Sequence, residues 1–285
     1  MAFFWGNREK KQKTARLRHE TGSRTSALGQ ERKRLLSFQT ANLQGIGSRA
    51  RQEDSFTIVN AFDVTEIKEK GLLFAVCDGM GGMKDGRLAS ETAIASIRRS
   101  FAAMDRSRDL AVQLREGVFL AADEVLAQLG GEGGSTVVAG IIFDEKLYYA
   151  SVGDSFLYLK REEGLYRLNR EQNIRSELYL KSIRSGIMNP REAEESPEAS
   201  ALTQFMGMAG FGDVDCSARP LPLRQGDVLL ACSDGIGGVF GEQDILNVLN
   251  LNTPRAMCQQ LEQGIIAHAG HNQDNYTALI VKCTY

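Results

Sequence analysis

A chain of 285 residues with 42% hydrophobic and 25% charged residues has ordinary globular usage. That is enough for one large domain or two modest ones, and it excludes wholesale disorder, a collagen-like repeat and a small disulfide scaffold. The formal charge of −2 is unevenly spread, because residues 1–36 hold ten Lys and Arg against three Glu and leave the remainder net acidic.

At the start, Met1-Ala2-Phe3-Phe4-Trp5 precedes basic residues, the reverse of a secretory signal, so a cytoplasmic location is expected. Residues 1–36 read as a solvated basic arm, flexible or partly helical, able to make a weak contact with an anionic membrane or an acidic partner through Phe3, Phe4 and Trp5. Sequence-specific nucleic-acid binding is not expected, since no recognition fold or aromatic platform accompanies the charge.

The body, residues 37–285, alternates short apolar runs with amphipathic stretches. Phe56 to Val59 and Leu72 to Cys77 read as strands, the second apolar on both faces and far too short to span a bilayer. Two helices follow: Ala89, Ala93, Ile97, Phe101 and Met104 share one face, as do Leu110, Leu114, Val118, Ala122, Val125 and Leu129. Strands are then predicted at Val137–Phe143, Leu147–Val152, Phe156–Leu159 and Leu165–Leu168, with a turn at Asp144-Glu145-Lys146 and another ending at Gly164. Connections this short imply a series of antiparallel hairpins. Residues 171–184 have a helical pattern, and residues 186–214 read as a flap or mobile lobe with weak periodicity. Val228–Cys232 is a further buried strand, residues 242–250 and 254–268 are helices, and Thr277–Cys283 is a closing strand. Clustered strands with paired helices indicate antiparallel sheets covered by helices.

Five cysteines (Cys77, Cys216, Cys232, Cys258, Cys283) without a C-x-x-C spacing are read as buried small apolar residues. The histidines do not make a zinc pattern, and His268 falls on the apolar face with Met257, Leu261 and Ile265, which predicts a core position.

The chemistry is signalled by an internal echo. Leu72-Leu73-Phe74-Ala75-Val76-Cys77-Asp78-Gly79-Met80-Gly81-Gly82 resembles Val228-Leu229-Leu230-Ala231-Cys232-Ser233-Asp234-Gly235-Ile236-Gly237-Gly238. One Asp-Gly is a turn signal; two copies, each ending a buried strand, place two carboxylates at rigid strand ends facing a cleft. Glu53-Asp54 leads a strand behind Arg49 and Arg51, Asp154 follows one, and Asp274-Asn275 opens the last. Carboxylates converging from remote strands suit a hard divalent cation such as Mg²⁺ or Mn²⁺.

These residues resemble the metal-dependent protein phosphatases of type 2C (PPM), in bacterial single-domain form. Six motifs occur in order: Arg49-Ala50-Arg51-Gln52-Glu53-Asp54, Asp78 to Gly82, Gly134-Ser135-Thr136, Val152-Gly153-Asp154-Ser155, Ser233-Asp234-Gly235 and Gln273-Asp274-Asn275. The resemblance implies an α+β fold, a four-layer α-β-β-α sandwich of two antiparallel sheets flanked by antiparallel helix pairs. It implies two Mn²⁺ or Mg²⁺ ions, with Asp78 bridging them, Asp234 and Asp274 completing one site, and Glu53 and the Gly79 carbonyl serving the other. Asp54 would orient water, Asp154 would hold a third, weaker ion near the flap, and Arg49 would grip substrate phosphate, with Arg51 a second candidate. The implied activity is hydrolysis of phosphoserine and phosphothreonine, in substrates of a Ser/Thr kinase, by direct attack of water bridging the two ions. The alternative is a non-catalytic relative that binds phosphoproteins. Two departures, Phe156 where the family commonly has Arg and Gly238 where it often has Asp, fall near the third-ion position.

Overall fold

The computed structural model describes residues 35–80, 85–186, 190–268 and 272–285. The expectations for the basic arm therefore lie outside the described residues, as do Gly81, Gly82 and His271. In chain order the elements are β1 (Ser37–Gly45), β2 (Ser55–Val59), α1 (Val64–Lys70), β3 (Leu72–Cys77), α2 (Gly86–Ala103), α3 (Leu110–Leu129), β4 (Val137–Phe143), β5 (Lys146–Val152), β6 (Phe156–Arg161) and β7 (Gly164–Arg167). They continue with α4 (Ile174–Ser185), α5 (Pro190–Glu194), β8 (Asp215–Cys216), β9 (Leu221–Pro222), β10 (Val228–Cys232), α6 (Asp234–Gly237), α7 (Glu242–Leu249), α8 (Pro254–His268) and β11 (Tyr276–Thr284).

One sheet has the order β1-β11-β10-β6-β7 and the other β2-β3-β4-β5-β8, with β9 also on β5. Every pairing is antiparallel. Three apolar layers hold the sandwich together, and the two-residue period of a strand assigns each side chain to one of them. Along β3, Leu73, Ala75 and Cys77 meet α2 and α3, while Leu72, Phe74 and Val76 meet the facing sheet. Along β10, Val228, Leu230 and Cys232 face α7 and α8, while Leu229 and Ala231 point inward. A strand between two apolar layers has no polar face, which is why both runs lack alternation. The order of layers is thus α-β-β-α, as the resemblance implies.

Some expectations need correction. The four strands from β4 to β7 are two hairpins rather than a continuous series: β4 pairs with β5 and β6 with β7, but Gly153-Asp154-Ser155 carries the chain from one sheet to the other. Burial explains this, because Val152 belongs to the outer layer of one sheet while Leu157 belongs to the layer between the sheets. The β4–β5 turn is tighter than expected. Asp144 and Glu145 take positive φ, as a two-residue hairpin loop requires, and Lys146 already pairs with Phe143. His268 is exposed at the end of α8, its Nδ1 2.8 Å from the Gly264 carbonyl, so it is not a core residue. Cys216 is half-buried on the edge strand β8, whereas the other four cysteines are buried.

Strand β1 and helix α1 are not predicted by the pattern. β1 is an edge strand with only Leu43 buried. α1 buries no residue and owes its start to Asp63, whose carboxylate accepts from the Thr65 and Glu66 amides.

Candidate metal centre

The two echoed strands end side by side, each delivering an aspartate from a different sheet. Asp78 is held by the Gly134-Ser135-Thr136 motif: its N–H donates to Thr136 Oγ1 (3.1 Å), while its carbonyl accepts from the Thr136 N–H and the Ser135 hydroxyl (both 2.9 Å). The glycines after the two aspartates are required by close approach of other backbone. A Cβ on Gly79 would collide with the carbonyls of Gly86 and Glu53, and one on Gly235 with that of Asn275. Those contacts bring the Glu53-Asp54 and Asp274-Asn275 segments to the two strand ends.

Asn275 ties the segments together. Its Oδ1 accepts from the Glu53 N–H at 2.7 Å, and its Nδ2 donates to the carbonyls of Ile46 (2.8 Å) and Arg51 (3.0 Å). Glu53 is thereby fixed beside Asp274. Asp54, 5% exposed, accepts at Oδ2 from the Ser233 hydroxyl at 2.9 Å, and Ser233 Oγ in turn accepts from the Thr277 N–H. The other Asp54 oxygen, Oδ1, is buried without a hydrogen-bond partner. Asp154 sits in the turn between the sheets, where Ser155 shares a 2.7 Å hydroxyl contact with Thr136. At the open side of the cluster Arg49 Nη2 lies 2.6 Å from Asp274 Oδ2, both half-exposed.

The electrostatics show one cluster. Burial, then the negative charges of Asp54 and Asp234, holds the Asp78 carboxyl well above the usual carboxylate range. Asp234 keeps surface open to the cleft, yet crowding by neighbouring atoms raises it too, with the charge of Asp274 adding to the rise. Burial pushes Asp54 up to about 6 against the pull of its Thr277 and Ser233 hydrogen bonds. Burial, Asp234 and Glu171 push Asp154 up to about 7. Glu53 is raised by burial, with Arg49 opposing. Like charges this close disfavour full ionisation unless a cation compensates them.

Among the described residues no three His, Cys, Asp or Glu side chains form a ready-made ion cage. The carboxylates are engaged by one another and by Arg49 instead. The residues nonetheless fit hard divalent cations. Every candidate donor is oxygen, the charges converge from both sheets, and Asp54 Oδ1 lacks a partner.

The structure thus brings together Arg49, Glu53, Asp54, Asp78, Gly79, Asp154, Asp234 and Asp274, while Arg51 is exposed and contributes its carbonyl to Asn275. The departures have local partners: Phe156 stacks on Tyr158 beneath the Arg167 guanidinium, and Gly238 N–H bonds the Asp234 carbonyl at 2.7 Å. Ser233 and Asn275 are assigned no role by the sequence, although both stand inside recognised motifs. Cys77 and Cys232, fully buried with thiols raised by that burial, are not placed to act as nucleophiles.

Residues 42–178 match the family model described as Protein phosphatase 2C. The serine/threonine phosphatase stp of Listeria innocua is 27% identical over 228 residues, which cover 77% of this chain and 87% of the relative. Among solved structures, the PPM Ser-Thr phosphatase MsPP from Mycobacterium smegmatis in complex with cacodylate has a TM-score of 0.68 at 26% identity, covering 85% of this chain and 97% of that one. The catalytic domain of the phosphatase PstP in complex with two manganese ions has a TM-score of 0.69 at 24% identity, covering 88% and 100%. With this fold and the six motifs in order, the chain is similar to the protein phosphatase 2C family over residues 42–178 and to Ser/Thr phosphatases over most of its length.

Proposed function

We propose that this protein is a metal-dependent protein serine/threonine phosphatase that hydrolyses phosphoserine and phosphothreonine in proteins. The observation that carries the reading is the meeting of Asp78 and Asp234 with Asp54 and Asp154 at the ends of two sheets, beside an arginine at the open side. The names of its relatives and the cacodylate bound to the M. smegmatis enzyme, a tetrahedral oxyanion, agree with a phosphoryl substrate.

Asp78, Asp234 and Asp274 would hold one divalent cation and Asp78, Glu53 and the Gly79 carbonyl a second, with Asp154 serving a third. Two manganese ions in PstP agree with the first two. Such ions, when bound, polarise phosphoryl oxygens and lower the pKa of water toward neutrality. The chain's own part is positioning. Arg49 binds phosphate oxygens through its planar fork, which requires its guanidinium to exchange Asp274 for substrate. Asp54, held at Oδ2 by Ser233, leaves Oδ1 to orient water and accept a proton. Water then attacks phosphorus as the bond to the Ser or Thr oxygen breaks, without a phosphoenzyme. With each carboxylate position filled, turnover is expected rather than mere phosphoprotein capture. Among the described residues no helix is long and apolar enough to cross a membrane.

A time course on a phosphothreonine peptide tests this reading. Phosphate release with Mn²⁺ and none with excess EDTA is expected; release undiminished in EDTA, or none under any cation, overturns it.

A further inference from the structure

The end of the folded body remote from the metal centre presents apolar side chains to solvent. β2 runs antiparallel to β3, with Ser55 opposite Cys77 and Val59 opposite Leu73. The turn after Val59 therefore lies at the far end from Asp78, roughly 20 Å away at about 3.3 Å per residue. In that turn Phe62 is 95% exposed and Val64 is 77% exposed, and Phe62 is the most exposed large apolar side chain among the described residues. The turn is tied down on both sides. Asn60 takes a positive φ and its Nδ2 donates to the Gly71 carbonyl at 2.8 Å, Asp63 Oδ1 accepts from the Thr65 and Glu66 N–H groups, and Ala61 and Ile67 pack into the layer between the sheets. With these neighbours fixed inward, Phe62 and Val64 are held outward.

The charges beside them largely offset one another. Asp63 caps α1, Glu66 pairs with Lys70 at 2.8 Å, Asp144 pairs with Lys146 at 2.6 Å, and α1 carries two Glu and two Lys. An unbalanced charge is attached at the same end. Ser37 pairs with Thr284, whereas Gly45 pairs with Tyr276 near Asp274, so the exposed Leu35 enters β1 at the end away from the metal centre. The Leu36 N–H bond to Glu145 ties that entry to the β4–β5 turn. The 34 residues before Leu35 hold ten Lys and Arg against three Glu, together with Phe3, Phe4 and Trp5.

We propose that this end is a membrane-docking surface, on which Phe62 and Val64 insert among the lipids of an anionic bilayer while the basic residues before Leu35 engage its headgroups. Two projecting side chains bury far too little area for a specific protein contact, which needs about 1,000 Å². Lipid adapts to their shape and requires only apolar side chains with positive charge nearby. One such signal binds marginally, and two together bind stably. Docking through this end leaves the cleft at the opposite end accessible.

Co-sedimentation of the full chain with vesicles of roughly one-third phosphatidylglycerol in phosphatidylcholine, against phosphatidylcholine alone, tests it. Wild type is expected on the anionic vesicles and should be released as salt shortens the screening length. Phe62→Ser with Val64→Ser should weaken binding about tenfold, because the apolar burial is lost. Lys10→Glu with Lys11→Glu and Lys13→Glu should weaken it as well. Both variants should keep the Tm and the rate on a small aryl phosphate, since neither alters the core or the site. Phe62→Trp in a Trp5→Phe background gives a separate reading: its emission should shift to the blue on anionic vesicles. Equal binding of wild type and the Phe62 and Val64 variant, or an unshifted emission, overturns insertion. Failure of wild type to bind anionic vesicles overturns the proposal and leaves this end to a protein partner.

Discussion

The carboxyls of Asp78 and Asp234, each at the end of a central strand of a different sheet, lie close enough that the negative charge of Asp234 joins burial in holding Asp78 well above the usual carboxylate range. A proton retained on Asp78 offsets part of the charge that a divalent cation would offset if bound between them. With a cation held there, protons and cations would compete for this site, and its pH behaviour would follow from the competition.

The metal-free protein should lose stability as pH rises. Asp54 at about 6 and Asp154 at about 7, with Asp78 and Asp234 also raised, bind protons in the folded state at pH values where the unfolded chain, near 4, has released them. Their contribution is complete below about pH 4 and is lost as pH climbs through about 7. Thermal unfolding in EDTA at pH 5 to 8 checks the slope, and added Mn²⁺ should raise Tm more at pH 8 than at pH 5.

Asp78→Asn should separate stability from activity. Removing a charge from a crowded acidic cluster should raise the Tm of the metal-free protein at pH 8. Activity with Mn²⁺ should fall by at least about 100-fold, as an amide cannot replace the carboxylate. Parallel Tm and rate measurements would contradict this if both fell together or the rate held.

Arg49→Ala should chiefly weaken substrate capture, lowering kcat/KM by an amount equivalent to about 1.5–3 kcal/mol. Freed of Arg49, Asp274 stays available to a cation, so the Mn²⁺ requirement should not grow. Steady-state kinetics across Mn²⁺ concentrations read both effects.

Arg161→Ala should destabilise the fold by about 3–5 kcal/mol without touching the site. Arg161 grips Asp227 with two bonds, 2.9 and 2.7 Å, and Asp227 is 1% exposed, so truncation leaves a buried carboxylate short of its cation. Urea unfolding gives the loss; a change under about 1 kcal/mol would show that Arg224 N–H and water suffice.

Deleting residues 1–34 should leave hydrolysis of a small aryl phosphate intact, since each proposed site residue lies beyond them. The cut stops short of Leu36, whose N–H donates to Glu145 at 2.8 Å and whose side chain joins the layer between the sheets. Rates on the aryl phosphate for both forms decide it.

The residues that were legible in the sequence were those under strong local constraint. β3 and β10 had to be strands because six- and five-residue runs buried on both faces leave no other arrangement, and each then fixed an aspartate at its end. What the sequence did not show depends on long-range pairing. β1 has no apolar signature because its order comes from pairing with β11 along its whole length. Phe156 looked like one more hairpin strand because a three-residue link carries no mark of a change of sheet. Gln172, which is buried, resembles any surface glutamine until its four hydrogen bonds, to Gly153, Thr203 and Asp213, are traced.

The place of β11 between β1 and β10 has a consequence for biosynthesis. Chains emerge N-terminus first, so β1 and β10 wait on the ribosome for the strand that joins them. Asp274, two residues before that strand, arrives equally late. A nascent or prematurely ended chain that already carries Asp78 and Asp234 lacks the strand that would align its first sheet, and so would not dephosphorylate its surroundings before synthesis has passed residue 284.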